Sequence, residues 1–430
     1  MWARSTLLFG FLVLVAAVCL AGRAVAELLT ALFPDGVPAY DMGDGVTVET
    51  RLHPEQMPLG LREGGFEFMP RLDQGVGYSS NAFPGPHRRG SWQVVTNPAL
   101  SIGSNWSRDA FGAMLSVRDT RYLALPAQDR TDTTVSVGGR IDIGDGRLTI
   151  GAAHVVQHED RGQIDTLAVD RPIAFQLDDV RASYAISDGR WNIVSSLEAT
   201  NRTYSGTTIQ GLPASQSYRD RVVVQGGATV SYEFAPLRSA VLVVRAIGQD
   251  YTHAPAGQAS EDSTSYQVLA GIDYDDNSLW RWRVLIGGET RQFASPRYRQ
   301  QNTLIAEAGV RWQPSGLTTV SATIGRETQD AAQAGVSGLV YSSARLVIDH
   351  EYLRDLVFRA SIGLQKADFF GGGHQIGTTA GLGMTWVMNR NARLSVTYDQ
   401  TELHGSGIPT ETLVTGYSRG VGLITLRLGM

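Results

Sequence analysis

Residues 279–293 read LWRWRVLIGGETRQF, and this stretch decides the fold because its side chains alternate in character. One set of alternate positions is aromatic or aliphatic: Trp280, Trp282, Val284 and Ile286. The intervening set begins with Arg281 and Arg283. Successive side chains of a β-strand point to opposite faces, so the stretch predicts a strand with one apolar and one largely polar face. A helix would repeat its apolar positions every three or four residues instead.

The same period of two recurs from Gly65 to the C-terminus. It divides this part of the chain into about 18 segments, most of them about 10 to 14 residues long, roughly the length that a tilted strand needs to cross a bilayer. The predicted spans are 65–78, 92–104, 108–121, 131–143, 148–158, 174–186, 191–202, 219–233, 239–249, 264–274, 279–293, 302–312, 317–327, 338–352, 356–367, 377–388, 392–402 and 415–430. The pattern predicts an all-β fold, a transmembrane antiparallel β-barrel of about 18 strands.

The connections between these segments alternate between short and long. The short ones are rich in Gly, Asn, Asp or Pro, which favour tight turns, and lie at 105–107, 144–147, 187–190, 275–278, 314–316 and 389–391. The longer, polar ones lie at 79–91, 159–173, 203–218, 250–263, 328–337 and 403–414. Outer-membrane barrels have short periplasmic turns on one rim and longer extracellular loops on the other. The alternation therefore favours such a barrel over a soluble sandwich.

The composition supports this interpretation. Of the 430 residues, 43% are apolar and only 18% are charged, yet the mean hydropathy is -0.10, so apolar and polar residues are interleaved. The formal net charge of -5 and the scattered charges argue against a nucleic-acid surface, and no nucleic-acid partner is expected. Beyond the N-terminus, no stretch approaches the roughly 18 apolar residues of a membrane-spanning helix.

The N-terminus has the pattern of a secretory signal peptide over residues 1–26. Arg4 supplies a positive charge, and residues 7–20 form an apolar core of about 14 residues, which is too short to span a bilayer. Small residues then suit cleavage between Ala26 and Glu27. The pattern predicts export, and a retained anchor is the alternative.

Residues 27–64 do not join the strand pattern. An apolar stretch at 28–33 precedes an extended stretch that is rich in Pro and Gly. Such a segment suits a periplasmic lead or a plug within the lumen, and the sequence does not choose between them. Three regions are therefore expected: the signal peptide over 1–26, this lead or plug segment over 27–64, and the barrel over 65–430.

Aromatic residues cluster beside the short turns, on the parity that is predicted to face outward. They are Trp191, Phe234, Tyr274, Trp280, Trp312, Tyr352 and Trp386. Amphipathic rings favour the headgroup level of a bilayer, where one edge is wet and the other apolar. These seven residues are therefore predicted to form a periplasmic aromatic girdle, and the alternative for each is ordinary packing.

Arginine dominates the predicted inner face, and Lys366 is the only lysine of the chain. The lumen-lining candidates are Arg71, Arg118, Arg140, Arg181, Arg221, Arg245, Arg281, Arg283, Arg291, Arg311, Arg345, Arg359, Glu289 and Asp349. A guanidinium offers a rigid fork of donors for anionic or hydroxyl-rich solutes, and a wall of charges sets the selectivity of a pore. The alternative is that these groups pair with each other in a static network.

No pattern of catalysis or metal binding emerges. His154 and His158 share one face of a strand, but they lie about 13 Å apart along it, too far to hold one ion. His350 and Asp349 point to opposite faces, and no nucleophile motif Gly-x-Ser-x-Gly occurs at a strand-to-helix turn. The only cysteine, Cys19, lies in the signal segment, which excludes disulfides and thiol chemistry from the mature chain. No catalytic residue, metal site or cofactor is expected, and the chain is not predicted to be an enzyme.

A family resemblance begins in the first predicted strands. The residues that carry it are Gly65, Gly77, Tyr78, Asn81, Phe83, 105–108, Tyr122, 130–132 and 138–140. From about residue 60 to its end the chain resembles the putative beta-barrel porin 2 family, although Ser79 and Ser80 stand where the family has two acidic residues. The resemblance implies an outer-membrane barrel, and several relatives are associated with export of exopolysaccharide or capsule.

These observations predict a porin-like passage for polar solutes in the cell outer membrane, and the resemblance makes an exported exopolysaccharide the preferred cargo. A general diffusion porin is the first alternative, followed by a barrel enzyme acting on envelope lipid and by a structural or adhesive barrel. The expected partners are outer-membrane lipid, the outer-membrane barrel assembly machinery and a periplasmic polysaccharide-export protein. The apolar alternation of the last strand suits recognition by that machinery, although Met430 stands where a terminal aromatic is commoner.

Overall fold

The chain folds into β-strands that are joined by turns and loops. A computed structural model describes residues 37–40, 47–48, 54–83, 88–160, 162–254, 257–276, 279–408 and 413–430. The strands in these residues are β1 Leu61–Glu63, β2 Phe66–Ser79, β3 Ser91–Ser104, β4 Ala110–Tyr122, β5 Arg130–Ile143, β6 Gly146–His158, β7 Ala174–Asp188, β8 Trp191–Tyr204, β9 Thr207–Ile209, β10 Leu212–Ala214, β11 Arg221–Ala235, β12 Arg238–Tyr251, β13 Ser263–Asp276, β14 Trp280–Phe293, β15 Gln301–Ser315, β16 Thr318–Gln329, β17 Leu339–Leu353, β18 Leu356–Phe369, β19 His374–Asn389, β20 Ala392–Ser406 and β21 Gly416–Gly429. Three single-turn 3₁₀ helices lie at Pro54–Gln56, Pro126–Gln128 and Ser217–Arg219. Within the described residues, no helix is both long enough and apolar enough to span a bilayer.

Eighteen of the described strands, β2–β8 and β11–β21, form one antiparallel sheet that closes on itself. Strand β2 pairs with β3 on one side and with β21 on the other, so the first and last long strands are neighbours. Strand β8 pairs directly with β11, and the short hairpin β9–β10 stands apart as its own small sheet. Closure leaves no long strand with a free edge, which is the condition for β-structure in lipid. The predicted antiparallel barrel of about 18 strands is confirmed.

The observed strands match the predicted spans within a few residues. The stretch predicted at 338–352 is strand β17, and the one that opened the analysis is β14. The clearest difference lies in β19 and β20, which pair as far as His374 and Ser406, beyond the predicted 377–388 and 392–402. The ladder continues there through residues such as His374, Gln375, Gly405 and Ser406, which do not alternate in hydrophobicity.

The two rims of the barrel differ as predicted. Tight turns join strands at one rim, here named the short-turn rim, and glycines such as Gly144 at φ +59° and Gly189 at φ +56° supply its left-handed residues. The opposite rim, named the long-loop rim, carries the longer links. One link there, 370–373, is as short as a turn, because Gly372 and Gly373 adopt φ values of +96° and +83°. The predicted alternation of lengths is not kept at that point.

Side chains alternate between the outside of the barrel and its lumen. Leu304 is 63% exposed on the outside, whereas its neighbour Thr303 is buried on the inward face. Ile362 is likewise 59% exposed at the middle of β18. Large exposed aliphatic side chains recur on most of the long strands, and a belt of this kind is stable only where lipid covers it.

The inward face is less uniformly polar than the sequence predicted. Five buried aliphatic residues form a cluster on strands β12 to β15: Val241, Val243, Leu269, Leu285 and Ile305. They stand on the same parity as the inward-facing Arg245 and Arg283. The inner wall therefore combines charged groups with an apolar patch.

A charge placed on the lipid-facing belt is expected to prevent stable insertion. For Ile362→Arg we expect the free energy of unfolding of the inserted barrel to fall by about 2–4 kcal/mol, because a guanidinium near the bilayer midplane has no water or partner. Its matched control is Ser361→Arg, at the same depth on the inward face of β18, which should change stability little. Urea titration of the lipid-inserted barrel measures both, and equal losses for the two variants would contradict the assigned faces.

Candidate functional site

The predicted lumen residues all lie on the inward parity of their strands. They are Arg71, Arg118, Arg140, Arg181, Arg221, Arg245, Arg281, Arg283, Arg291, Arg311, Arg345, Arg359, Glu289 and Asp349. They are distributed around the whole circumference, from β2 to β18, rather than gathered at one point. The arrangement is that of a charged wall, not of a single catalytic centre.

Several of these arginines form ion pairs across or along the strands. Arg181 binds Asp179 through Nε at 2.9 Å and reaches Glu198 Oε1 at 3.2 Å. Arg245 Nη1 lies 2.7 Å from Glu307 Oε1 on a strand three places away. The network that the sequence analysis kept as an alternative to solute contact is therefore present in part.

Other pairs leave the guanidinium open to the lumen. Arg359 binds Asp349 with both Nε and Nη2, at 2.7 and 3.1 Å, yet 42% of its side chain remains exposed. Arg427 binds Asp73 in the same bidentate way, at 2.6 and 3.0 Å, and is equally open. A guanidinium that is held on one edge by a carboxylate is fixed in position on the lumen wall. Arg427 escaped the sequence-based selection, although its parity in β21 would have found it.

A buried carboxylate joins the wall to the long-loop rim. Asp330, the first residue after β16, lies 2.6 Å from Arg291 Nη2 and 3.1 Å from Arg221 Nε. Gln249 Nε2 donates a further hydrogen bond to it at 3.2 Å. Burial alone would raise the pKa of Asp330, but the Arg291 and Arg221 guanidiniums outweigh burial and hold the pKa at about 2. We name these four residues the latch.

A loop covers the lumen at the same rim. Residues 162–173, the mouth loop, belong to the link between β6 and β7, but they pack against β17 and β18, roughly half the circumference away. The buried cluster that joins them contains Leu167, Val169, Ile173, Ala332, Leu339, Tyr341, Ala367, Phe369 and Leu413. An apolar cluster that draws residues from opposite walls holds the loop across the mouth of the barrel.

Hydrogen bonds fix the mouth loop at its tip. The Asp165 backbone N–H donates to Gln375 Oε1 at 2.7 Å, and the Ala332 N–H donates to Asp165 Oδ2 at 2.5 Å. The Val414 N–H donates to the Thr166 carbonyl at 3.0 Å. Residues 330–338, which follow the latch carboxylate, are thereby tied to the mouth loop. The sequence analysis gave 159–173 and 328–337 only as two of the longer polar links, and no signal set them apart from the others.

Residues 53–415 match the family model described as putative beta-barrel porin 2. The chain belongs to this family. It is a porin-like β-barrel of the cell outer membrane, as the sequence predicted, and the short-turn rim is periplasmic and the long-loop rim extracellular. No curated protein sequence matches the chain.

Solved structures of other outer-membrane proteins are similar to this porin-family barrel. OccK2 (OpdF) from Pseudomonas aeruginosa is 14% identical, with a TM-score of 0.47 over 85% of this chain and 100% of that chain. OccAB3 from Acinetobacter baumannii is 9% identical, with a TM-score of 0.45 over 85% and 99%. The FrpB iron transporter from Neisseria meningitidis (F3-3 variant) is 10% identical, with a TM-score of 0.45 over 82% of this chain. This chain spans 64% of the length of that transporter.

The predicted aromatic girdle lies on the outer face of the porin-family barrel, near the periplasmic rim. Trp191, Phe234, Tyr274, Trp280, Trp312, Tyr352 and Trp386 all have outward parity. Trp280 and Trp312 stack at 5.2 Å between ring centroids, and Trp191 packs on Tyr232 at 4.7 Å. Tyr232 and Trp282 extend the set, and their parity beside the same turns was a signal that the sequence analysis left unused. That the rings sit at headgroup level stays a prediction.

The remaining predictions concern the cleavage site, two histidines and metal binding. The predicted cleavage site between Ala26 and Glu27 lies outside the described residues. His154 pairs with Asp178 Oδ1 at 2.7 Å and is half-exposed, whereas His158 is largely buried against Asp132. In the part of the chain that the structure describes, no group of three or more His, Asp or Glu side chains is placed to hold a metal ion.

Proposed function

We propose that this barrel conducts a polar solute across the outer membrane, through the lumen that its arginines and carboxylates line. The observation that carries the proposal is the set of inward guanidiniums, such as Arg359 and Arg427, that are fixed by a carboxylate and remain half-open to the lumen. Donors held in place in this way bind hydroxyl or anionic oxygens without first having to be ordered.

The preferred cargo is an exported exopolysaccharide. The family resemblance suggested it, and a hydroxyl-rich or acidic polymer suits a wall of paired arginines. A periplasmic polysaccharide-export protein would then meet the short turns of the periplasmic rim. A general diffusion porin is the second candidate.

Polymer secretion in a deletion strain tests the cargo. We expect the strain to lose surface and secreted exopolysaccharide and to recover it when the wild-type gene is restored. Normal secretion, together with reduced uptake of small polar solutes, would replace this cargo with that of a diffusion porin. Lipid hydrolysis by the purified protein, without conductance, would replace the passage with an enzyme.

Ion selectivity tests the charged wall itself. Replacing Arg281 and Arg283 by alanine in one variant should raise the permeability ratio of cations to anions several-fold, because Asp275, the partner of Arg281 at 3.3 Å, then loses its counter-charge. The reversal potential in a salt gradient across a planar bilayer measures the change. Arg62→Ala is the control, since that side chain is 69% exposed and lies outside the barrel strands. An unchanged reversal potential in the double variant would show that these arginines do not face the ion path.

A further inference from the structure

Four described residues near the N-terminus lie against the inner wall of the barrel. Val37 and Tyr40 are only 2% and 3% exposed. They form one buried cluster with inward residues of strands β3 to β7: Ala99, Met114, Ala153, Val155, Phe175 and Leu177. All of these wall residues have lumen parity, so residues 37–40, here named the N-terminal anchor, sit within the lumen.

Polar contacts fix the anchor on the same wall. The Tyr40 hydroxyl donates a hydrogen bond to Asp179 Oδ2 at 2.7 Å. The Arg181 guanidinium lies over the Tyr40 ring, with its carbon 4.4 Å from the ring centroid. Asp179 is buried and is also bound by Arg181 and by Thr200 Oγ1, so Tyr40 completes a set of partners around a buried carboxylate. An unpaired buried carboxylate oxygen would be unfavourable, so this hydrogen bond stabilises the anchor on the wall.

Two glycines make room for the anchor. Gly138 and Gly151 face each other in the register of β5 and β6, at the middle of both strands. A Cβ atom on Gly138 would overlap the Pro38 carbonyl oxygen, and one on Gly151 would lie 2.8 Å from Tyr40 Cε2. Glycine weakens a strand interior, and close approach of another backbone is a recognised reason for its presence there. We name Gly138, Gly151, Asp179 and Arg181 the cradle.

A second contact lies on the opposite wall. The Val48 N–H donates to Thr319 Oγ1 at 3.0 Å, and both residues are buried. Thr319 has lumen parity on β16, whereas the cradle lies on β5 to β7, close to half the circumference away. Within eight residues, from Tyr40 to Val48, the chain therefore touches both sides of the lumen.

We propose that the cradle is a binding site whose occupant is the chain's own N-terminal anchor, which together with Val48 closes the lumen at mid-depth as a plug. The closure stands below the mouth loop and belongs to a different buried cluster, and Tyr204 packs against both clusters. This inference rests on the proposed passage, because a plug restricts only a barrel that would otherwise conduct. Solute then moves only when the anchor leaves the cradle.

Conductance of the mature full-length barrel in planar bilayers tests the closure. Gly138→Ala should raise the conductance several-fold. The added methyl group would overlap the Pro38 backbone, which cannot move aside as a side chain could, and would therefore expel the anchor. Gly139→Ala is the matched control on the same strand, since a Cβ there has only the Ala110 carbonyl oxygen near it, at 3.9 Å. It should conduct like the wild type.

Thiol labelling provides a readout that does not depend on conductance. Cys19 is the only cysteine in the sequence, so Val37→Cys gives a single thiol once the predicted signal peptide is removed. We expect a bulky water-soluble maleimide to label Val37→Cys slowly, and to label it many times faster when Gly138→Ala is added. A cysteine at the exposed Asp145 sets the rate of an open site.

The outcomes separate the two proposals. Labelling of Val37→Cys at the open-site rate, or unchanged conductance in a Gly138→Ala barrel whose label is fast, would overturn the plug. If no variant conducts although the barrels are folded and inserted, the proposed passage fails, and slow labelling that Gly138→Ala accelerates would still place the segment in its cradle.

Discussion

Asp330→Ala should release the extracellular loop at 330–338 and expose it to protease. The variant removes the one carboxylate between Arg291 and Arg221, which lie 2.6 and 3.1 Å from it in surroundings that are largely closed to water. Breaking a buried pair by removing one partner typically costs about 3–5 kcal/mol, because the remaining charge has no compensation. Here two like charges remain, so we expect the loop to leave the latch.

Proteolysis from the extracellular side measures the release. When intact cells are treated with proteinase K, the Asp330→Ala protein should be cut within 330–338, whereas the wild-type protein should stay intact. Asp145→Ala is the control, since Asp145 is an exposed carboxylate in a periplasmic turn. Equal resistance of all three proteins would show that the latch does not hold the loop.

The latch should stop stabilising the closed loop at low pH. The folded pKa of Asp330, about 2, lies below the ordinary value of about 3.9 for a free aspartate. Its stabilisation of the closed loop is therefore complete above about pH 4 and is lost as the pH falls towards 2. Protease sensitivity of the wild type should appear in that acid range.

Raising the pH from 5 to 8 should open the extracellular mouth. Burial raises the pKa of Asp165, in the mouth loop, to about 7, and burial raises that of Glu261 to about 7 as well. An acid whose folded pKa is raised stabilises the closed state when protonated, and that stability declines as the pH rises from about 4 towards 7. In the Gly138→Ala barrel, whose plug is displaced, conductance should accordingly increase over this range, and closure should be tightest near pH 4, where the latch is also intact.

Charged and polar groups surround the carboxyls of Asp165 and Glu261. Arg219, Glu159 and Asp330 lie around Asp165, and Ala332 donates its backbone N–H to it. Asp330, Arg291 and the Tyr298 hydroxyl lie around Glu261. Two acids of raised pKa beside the latch make the mouth respond to pH as a unit.

A double variant isolates this response. Asp165→Asn with Glu261→Gln keeps the shapes and removes both titrations, and asparagine suits the left-handed φ of +60° at position 165. When Gly138→Ala is present as well, its conductance should stay constant between pH 5 and 8. A residual increase as large as that of Gly138→Ala alone would assign the pH response to other groups.

The barrel strands could be read from the sequence because each carries its own evidence. In β14 the alternation of Trp280, Arg281, Trp282 and Arg283 fixes both the strand and its two faces without knowledge of its neighbours. Lipid outside and water inside impose the same period on every strand, so errors do not accumulate along the chain. The inward parity of the lumen arginines followed from the same count of two.

The latch and the mouth loop could not be read in this way. Asp330 and Asp165 stand in polar links that look like solvated loops, and their local pattern carries no sign of burial. Their partners are distant in sequence: Asp165 binds the backbone of Ala332, 167 positions on. The hairpin β9–β10 was missed for a related reason, since three-residue strands are too short to show a period.

The sequence by itself determined that this chain is an outer-membrane barrel with an apolar exterior and an arginine-lined lumen, because strand period, strand length and turn chemistry are local properties. Only the tertiary structure decided what stands in the lumen. The sequence left 27–64 as a lead or a plug, and the contact that bears on this choice, Tyr40 to Asp179, joins residues 139 positions apart. Such contacts depend on which walls closure brings face to face, and no local pattern records that.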